Sequence, residues 1–195
     1  MLTPWGYEVD ELPTIIDADT FDEITGGRYS TDTRVQPAID AATAAIRAYC
    51  GWHVAPVLAC EFVTDGERGD IWLPCVALAS VDAVEFDGVA QTVKGFNRLG
   101  RVRTDRPQPC GGLGNVRVTY SAGYDVAATP DLATIIAQRV VAHVALGSYG
   151  IASESAGGVS VSYSGQALDD AGGAYLPQSV RDALAPYRLV KSHAA

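Results

Sequence analysis

The hydrophobic period of this 195-residue chain changes twice. Around residues 32–50 and 129–147, apolar side chains recur at spacings of three and four. Between them the pattern becomes short alternating runs broken by turn signals. A helix repeats every 3.6 residues and a strand every two, so a segment written in one period does not settle as the other. The order helix, strands, helix therefore predicts an α+β chain. The intervening residues are numerous enough to build a small sheet layer or barrel of their own.

The first helix is predicted from about Asp32 to Cys50. Thr31, Asp32 and Thr33 are all N-cap types, and Pro37 fits only a first turn. Val35, Ala38, Ile39, Ala42, Ile46 and Tyr49 make its apolar stripe, and Asp40, Thr43 and Arg47 its other face. Gly51 stands where a left-handed residue ends a helix, and Trp52 where the chain leaves it. Tyr49, Gly51 and Trp52 thus mark a helix-to-β junction. Residues 54–124 predict five or six short, mostly antiparallel strands. Asp87–Gly88 is a hairpin turn signal between Phe86 and Val89. Val116, Val118 and Tyr120 alternate with Arg117 and Thr119.

Thr129, Pro130 and Asp131 write the start of the second helix, with Leu132, Ile135, Ile136, Val140 and Val144 on its buried side. A third helix begins at Pro177, with Val180 and Leu184 on its stripe, and Pro186 limits its run. Residues 147–173 hold seven glycines and six serines. Such a loop is functional or is ordered by a partner, and its Val159–Val161–Tyr163 alternation predicts a strand or hairpin. Residues 1–30, with Pro4, Pro13 and Gly26–Gly27, read as an arm, and 190–195 as a tail.

Charge is unevenly placed. The net is −9, yet residues 1–30 alone carry seven acids against Arg28, and residues 94–106 carry Lys94, Arg98, Arg101, Arg103 and Arg106 against Asp105. A chain this acidic is poorly suited to gripping nucleic-acid phosphates, but like charge lets it surround DNA without holding it. No apolar run reaches the ~18 residues of a membrane span. The N-terminus lacks the basic start and apolar block of a signal peptide, which predicts a protein used without secretion.

Reactive chemistry finds little support. Cys50, Cys60, Cys75 and Cys110 match no metal or redox spacing, and without secretion disulfides are not expected. A nucleophile at Cys50, assisted by His53 or His143, would sit at a helix C-terminus, where the dipole raises a thiol pKa. Cys50-x-x-His53 has no second ligand pair, so no metal is expected. No phosphate-binding loop or nucleophile elbow appears. No catalytic residue and no cofactor are expected, and the protruding segments suit contact with other protein chains.

The order of "RVQPAIDAATAAIRAYCGWHVAP", "IWLPCVALASVDAVEFDG", "VRVTYSAGY", "PDLATIIAQRVVAH", "ESAGGVSVSYS" and "LAPYR" resembles the head-to-tail adaptor (connector, head completion) proteins of tailed phages, in the form common in actinobacterial phages and prophages. The match covers about residues 20–190. It implies a small helical bundle of about three main helices, residues 31–53 and 125–190, with the β unit of 54–124 inserted between the first two. It implies a structural virion protein at the neck, assembled in the host cytoplasm. The protein would form a homo-oligomeric ring, expected as a dodecamer, beneath the portal, with a stopper or tail-completion protein below and genomic DNA passing through the lumen.

By the same resemblance the C-terminal segment reaches the portal, making Leu184, Tyr187 and Arg188 interface candidates. Complementary charge predicts an inter-subunit contact of Arg101 and Arg103 with the acidic arm, Asp17 and Asp19 included. Other readings are a different neck protein (stopper or tail completion), a host module unrelated to virions, or a cysteine-dependent hydrolase using Cys50. The helix content disfavours the first, and the thiol's place on its helix the last.

Overall fold

The computed structural model describes residues 1–67, 69–109, 111–146, 153–156, 159–162 and 176–189. They form two compact units, each assembled from separated stretches of chain. One is a β unit of Met1–Pro13, Cys50–Ala128 and the segment from Tyr187. The other is a helical unit of Thr14–Tyr49 and Thr129–Pro186.

The helical unit contains α1 (Ala18–Thr25), α2 (Val35–Cys50, whose last residue belongs to the β unit), α3 (Pro130–Leu146) and α4 (Gln178–Leu184), the last running into a 3₁₀ turn at Ala185–Tyr187. Four α-helices are therefore present among the described residues, where about three were expected. The addition is α1. Asp17 caps it by accepting from the Thr20 N–H at 2.8 Å, and Gly26 closes it with φ 65°. Ile15, Ile16 and Phe21 are buried, so residues 1–30 are built into the fold and do not form a free arm. Most of their charges lie outside, while Tyr7, Val9, Ile15, Ile16 and Phe21 face in.

On α2 the apolar stripe is Val35, Ala38, Ile39, Ala42, Ile46 and Cys50, with Tyr49 half-buried. Thr43 and Arg47, expected on the solvent face, are instead buried at 3% and 6% exposure. Thr43 Oγ1 accepts the Ile15 N–H at 3.4 Å, because the segment before α1 covers that face. On α3, Leu132, Ile136, Val140 and Val144 are buried, joined by Ala133 and Ala137, and Ile135 is half-buried.

The β unit has one five-stranded and one three-stranded antiparallel sheet. The first has the order β1 (Tyr7–Val9), β2 (Leu58–Thr64), β8 (Val116–Ala122), β4 (Leu78–Phe86), β5 (Val89–Ala90). The second runs β3 (Ile71–Trp72), β7 (Arg101–Thr104), β6 (Val93–Phe96). Seven strands thus fall within 54–124 among the described residues, and β1 arrives from the start of the chain. β8 is central: Val116, Val118, Tyr120 and Ala122 are buried on one face, as strict alternation requires. The β4–β5 hairpin turns at Asp87 (φ 50°) and Gly88 (φ 76°), the positive pair a type I′ turn needs.

From the Gly/Ser-rich stretch, β9 (Ser153–Ala156) and β10 (Val159–Ser162) pair as an antiparallel hairpin. The rest of the 147–173 loop and the 190–195 tail lie outside the described residues. No helix among the described residues is long and apolar enough to cross a membrane.

Candidate functional site

Two places in the β unit concentrate polar chemistry. The first is the junction that follows α2. Gly51 has φ 78°, and the chain then threads Trp52, His53, Val54 and Ala55, all at most 1% exposed. Val54 has φ 67°, an uncommon backbone state for a β-branched residue. Its carbonyl is held by the Tyr124 N–H at 2.8 Å.

His53 is fixed on both ring nitrogens. Nε2 lies 2.9 Å from the Ala122 carbonyl, which can only accept, so Nε2 carries the proton. Nδ1 is then the acceptor for the Tyr7 hydroxyl at 2.7 Å, and the same Tyr7 oxygen accepts the His53 backbone N–H at 3.1 Å. Trp52 donates its indole N–H to the Tyr187 carbonyl at 2.7 Å, and the Leu189 N–H donates to the Cys50 carbonyl at 2.8 Å. Tyr124 packs edge-on to Tyr187, with ring centroids 4.9 Å apart.

These contacts answer the catalytic question at Cys50. Burial pushes its thiol up to about 12, outweighing the opposing pull of the Arg188 charge. Burial likewise pushes Cys60 and Cys75 up to about 12. A thiolate nucleophile is therefore disfavoured at neutral pH, and His53 has neither nitrogen available as a base or ligand. Among the described residues no group of three or more His, Cys, Asp or Glu side chains is placed to hold a metal.

The same geometry revises the C-terminal interface candidates. Leu184 is fully buried and Tyr187 is 7% exposed, so both fill the subunit's own interior and cannot face a partner. Arg188 is exposed. Tyr49 donates its hydroxyl to the Arg181 carbonyl at 3.1 Å, within the helical unit.

The second place is the outer face of the three-stranded sheet. Along β7, Val102 points inward, fully buried, while Arg101 and Arg103 point out. Both arginines converge on Asp70, just before β3. Arg103 binds it through Nε and Nη2 at 3.0 and 3.1 Å, and Arg101 binds it through Nε. The Arg103 hydrogen bond is the main reason the Asp70 carboxyl sits below its usual range. Arg101 also lies 5.6 Å from the Trp72 ring centroid, in cation–π range. Lys94, Phe96 and Asn97 complete a groove of about 500 Å³ with Asp70, Arg101 and Arg103.

Arg101 and Arg103 are therefore ion-paired within the chain itself, which the sequence expectation does not include. Asp17, one of their expected acidic partners, is committed to capping α1, while Asp19 is exposed in its first turn. Asp70 and Lys94 were missed as members of the site. The register that places Trp72 opposite Arg101 is what brings Asp70 to β7.

Comparison with known proteins supplies the family. No curated protein matches the chain. A chain of the solved structure described as "Neck of native GTA particle computed with C12 symmetry" shares its fold, with a TM-score of 0.58 at 15% identity, covering 96% of this chain and 98% of that one. Residues 13–190 match the family described as "Head completion protein", the greater part of the sequence, and the chain belongs to that family.

Proposed function

We propose that the chain is a head-to-tail adaptor: a structural neck protein that forms a ring below the portal and joins the DNA-filled head to a stopper or tail-completion protein. The observation that carries this reading is the family match over residues 13–190. The fold shared with a chain from a neck of twelvefold symmetry supports a ring, and twelve copies are the proposed number. The ring would enclose the genome without sequence-specific contact, in keeping with a net charge of −9. Of the C-terminal candidates, exposed Arg188 is the one able to reach a portal.

Electron microscopy of the purified chain mixed with its portal tests this. The expected image is a ring of the chain capping the portal's narrow end. In particles made without the chain, DNA-filled heads should accumulate without tails. Normal tailed particles in its absence would refute the reading.

A further inference from the structure

The groove on the three-stranded sheet is lined by three cations, Lys94, Arg101 and Arg103, against the single carboxylate of Asp70. Lys94 is exposed and lies outside the Asp70 chelate. Trp72 and Phe96 beside these cations keep 42% and 46% exposure, large for aromatic rings. The surface thus combines positive charge with uncovered aromatic area, a composition typical of protein interfaces.

The same β unit carries a complementary surface on its other sheet. Glu8, Asp10 and Glu11 are exposed on and just after β1. Leu2, bridged to Glu8, is 67% exposed, so an apolar side chain accompanies these acids. Because Leu2 already bridges the outer edge of β1, the acids can meet a partner through side chains but not by strand addition. The groove and the acidic edge belong to different sheets of one compact unit. Among the described residues no ion pair joins the acids of the β1 edge to the cations of the groove, so a second copy of the chain can offer each its complement.

We propose that the basic groove of β3, β6 and β7 receives the acidic β1 edge of a second copy of the chain. Lys94 and the outward guanidinium edges of Arg101 and Arg103 would face Glu8, Asp10 and Glu11, and Leu2 would lie against Phe96 and Trp72. Such a contact joins two different patches. Repeated by a rotation that closes, it makes a ring, whereas a contact of identical patches would stop at a dimer. The proposal rests on the ring reading above and names the surfaces that make the ring. It replaces Asp17 and Asp19 with acids carried by the same compact unit as the groove.

The test compares wild type with Lys94→Glu/Arg103→Glu, Glu8→Lys/Asp10→Lys and the combination of all four, each assembled on portal rings and scored by native mass spectrometry and microscopy. Lys94→Glu alone leaves the Asp70 chelate in place, and circular dichroism melts show which variants are folded. Either double reversal should weaken subunit association about tenfold or more, and the fourfold variant should recover most of it. Wild-type rings together with equally good rings from folded Lys94→Glu and Glu8→Lys/Asp10→Lys overturn this contact and leave the adaptor reading standing. A loss that the fourfold variant does not restore overturns the second-copy occupant and gives the groove to a different acidic partner. A wild-type chain that neither forms rings nor joins a portal overturns both proposals.

Discussion

Tyr7→Phe removes one oxygen and should destabilise the β unit well beyond what a surface change would do. In the folded chain that oxygen donates to His53 Nδ1 at 2.7 Å and accepts the His53 N–H at 3.1 Å, with Tyr7 and His53 each 1% exposed. Phenylalanine keeps the ring packing against His53 and Tyr120. What changes is that two buried polar groups lose their partner at once, each worth about 1–3 kcal/mol when left unsatisfied. Recovering the desolvation cost of the hydroxyl offsets part of this, so the net loss is about 2–4 kcal/mol. For a chain of this size that is a fall of roughly 5–15 °C in melting temperature. Urea unfolding followed by tryptophan fluorescence measures the free energy, and hydrogen exchange at the His53 amide reports the site directly. A loss below about 0.5 kcal/mol with unchanged His53 protection would refute the pairing, and with it the account of residues 1–13 as part of the β unit.

Four further outcomes follow from the same structure. In a Cys110→Ser background, the remaining thiols should resist a thiol reagent at pH 8 until the chain is unfolded, and rapid native labelling of Cys50 would contradict its burial. Burial raises their pKa from 9.0 to about 12, so the folded state holds the protons more tightly; stability should be full below pH 9 and decline between pH 9 and 12, as a pH series of melts would show. Gly100→Ala should cost more than about 2 kcal/mol, because φ is 84° and a Cβ would stand 2.6 Å from the Leu73 carbonyl oxygen. Gly88→Ala, with open space and only φ 76° against it, should cost about 1 kcal/mol, and equal losses in denaturant midpoint would discount the steric argument. Trp52→Ala should cost about 3–5 kcal/mol, since the indole is fully buried and its N–H is bound to Tyr187, and a smaller loss in calorimetry would mean the junction collapses around the gap.

The parts legible in sequence were those whose causes are local. Asp87–Gly88 specifies its own turn, Pro130 and Asp131 open α3, and the alternation of β8 survives because one face meets a core and the other does not. Arg47 shows where such reading stops. Its position on α2 looks solvent-facing yet it is 6% exposed, and one turn earlier on the same face Thr43 is covered by the Ile15 backbone, from a different stretch of chain. Residues 1–30 read as an arm on the strength of their acids, although Tyr7, Val9, Ile15, Ile16 and Phe21 in the same stretch are buried. The Tyr7–His53 bond spans 46 residues and the Arg103–Asp70 chelate 33. Both depend on strand register, which is a property of the assembled sheets. The resemblance points Leu184 and Tyr187 to a partner surface, whereas both side chains are buried within the chain.

The scattered origin of the β unit has a consequence for the order in which the protein can be made. Its pieces come from the beginning, middle and end of the chain, and the acceptor for the Trp52 indole is the carbonyl of Tyr187. A nascent chain that has emerged only as far as β8 has both sheets' strands in hand but an unanswered donor at its most buried tryptophan. The unit is finished only after Leu189 has left the ribosome and its N–H has found Cys50. A prematurely ended chain would therefore carry a defect at Trp52, whose acceptor lies 135 residues further along the chain. Translation to completion thus acts as a checkpoint on which molecules acquire a finished fold.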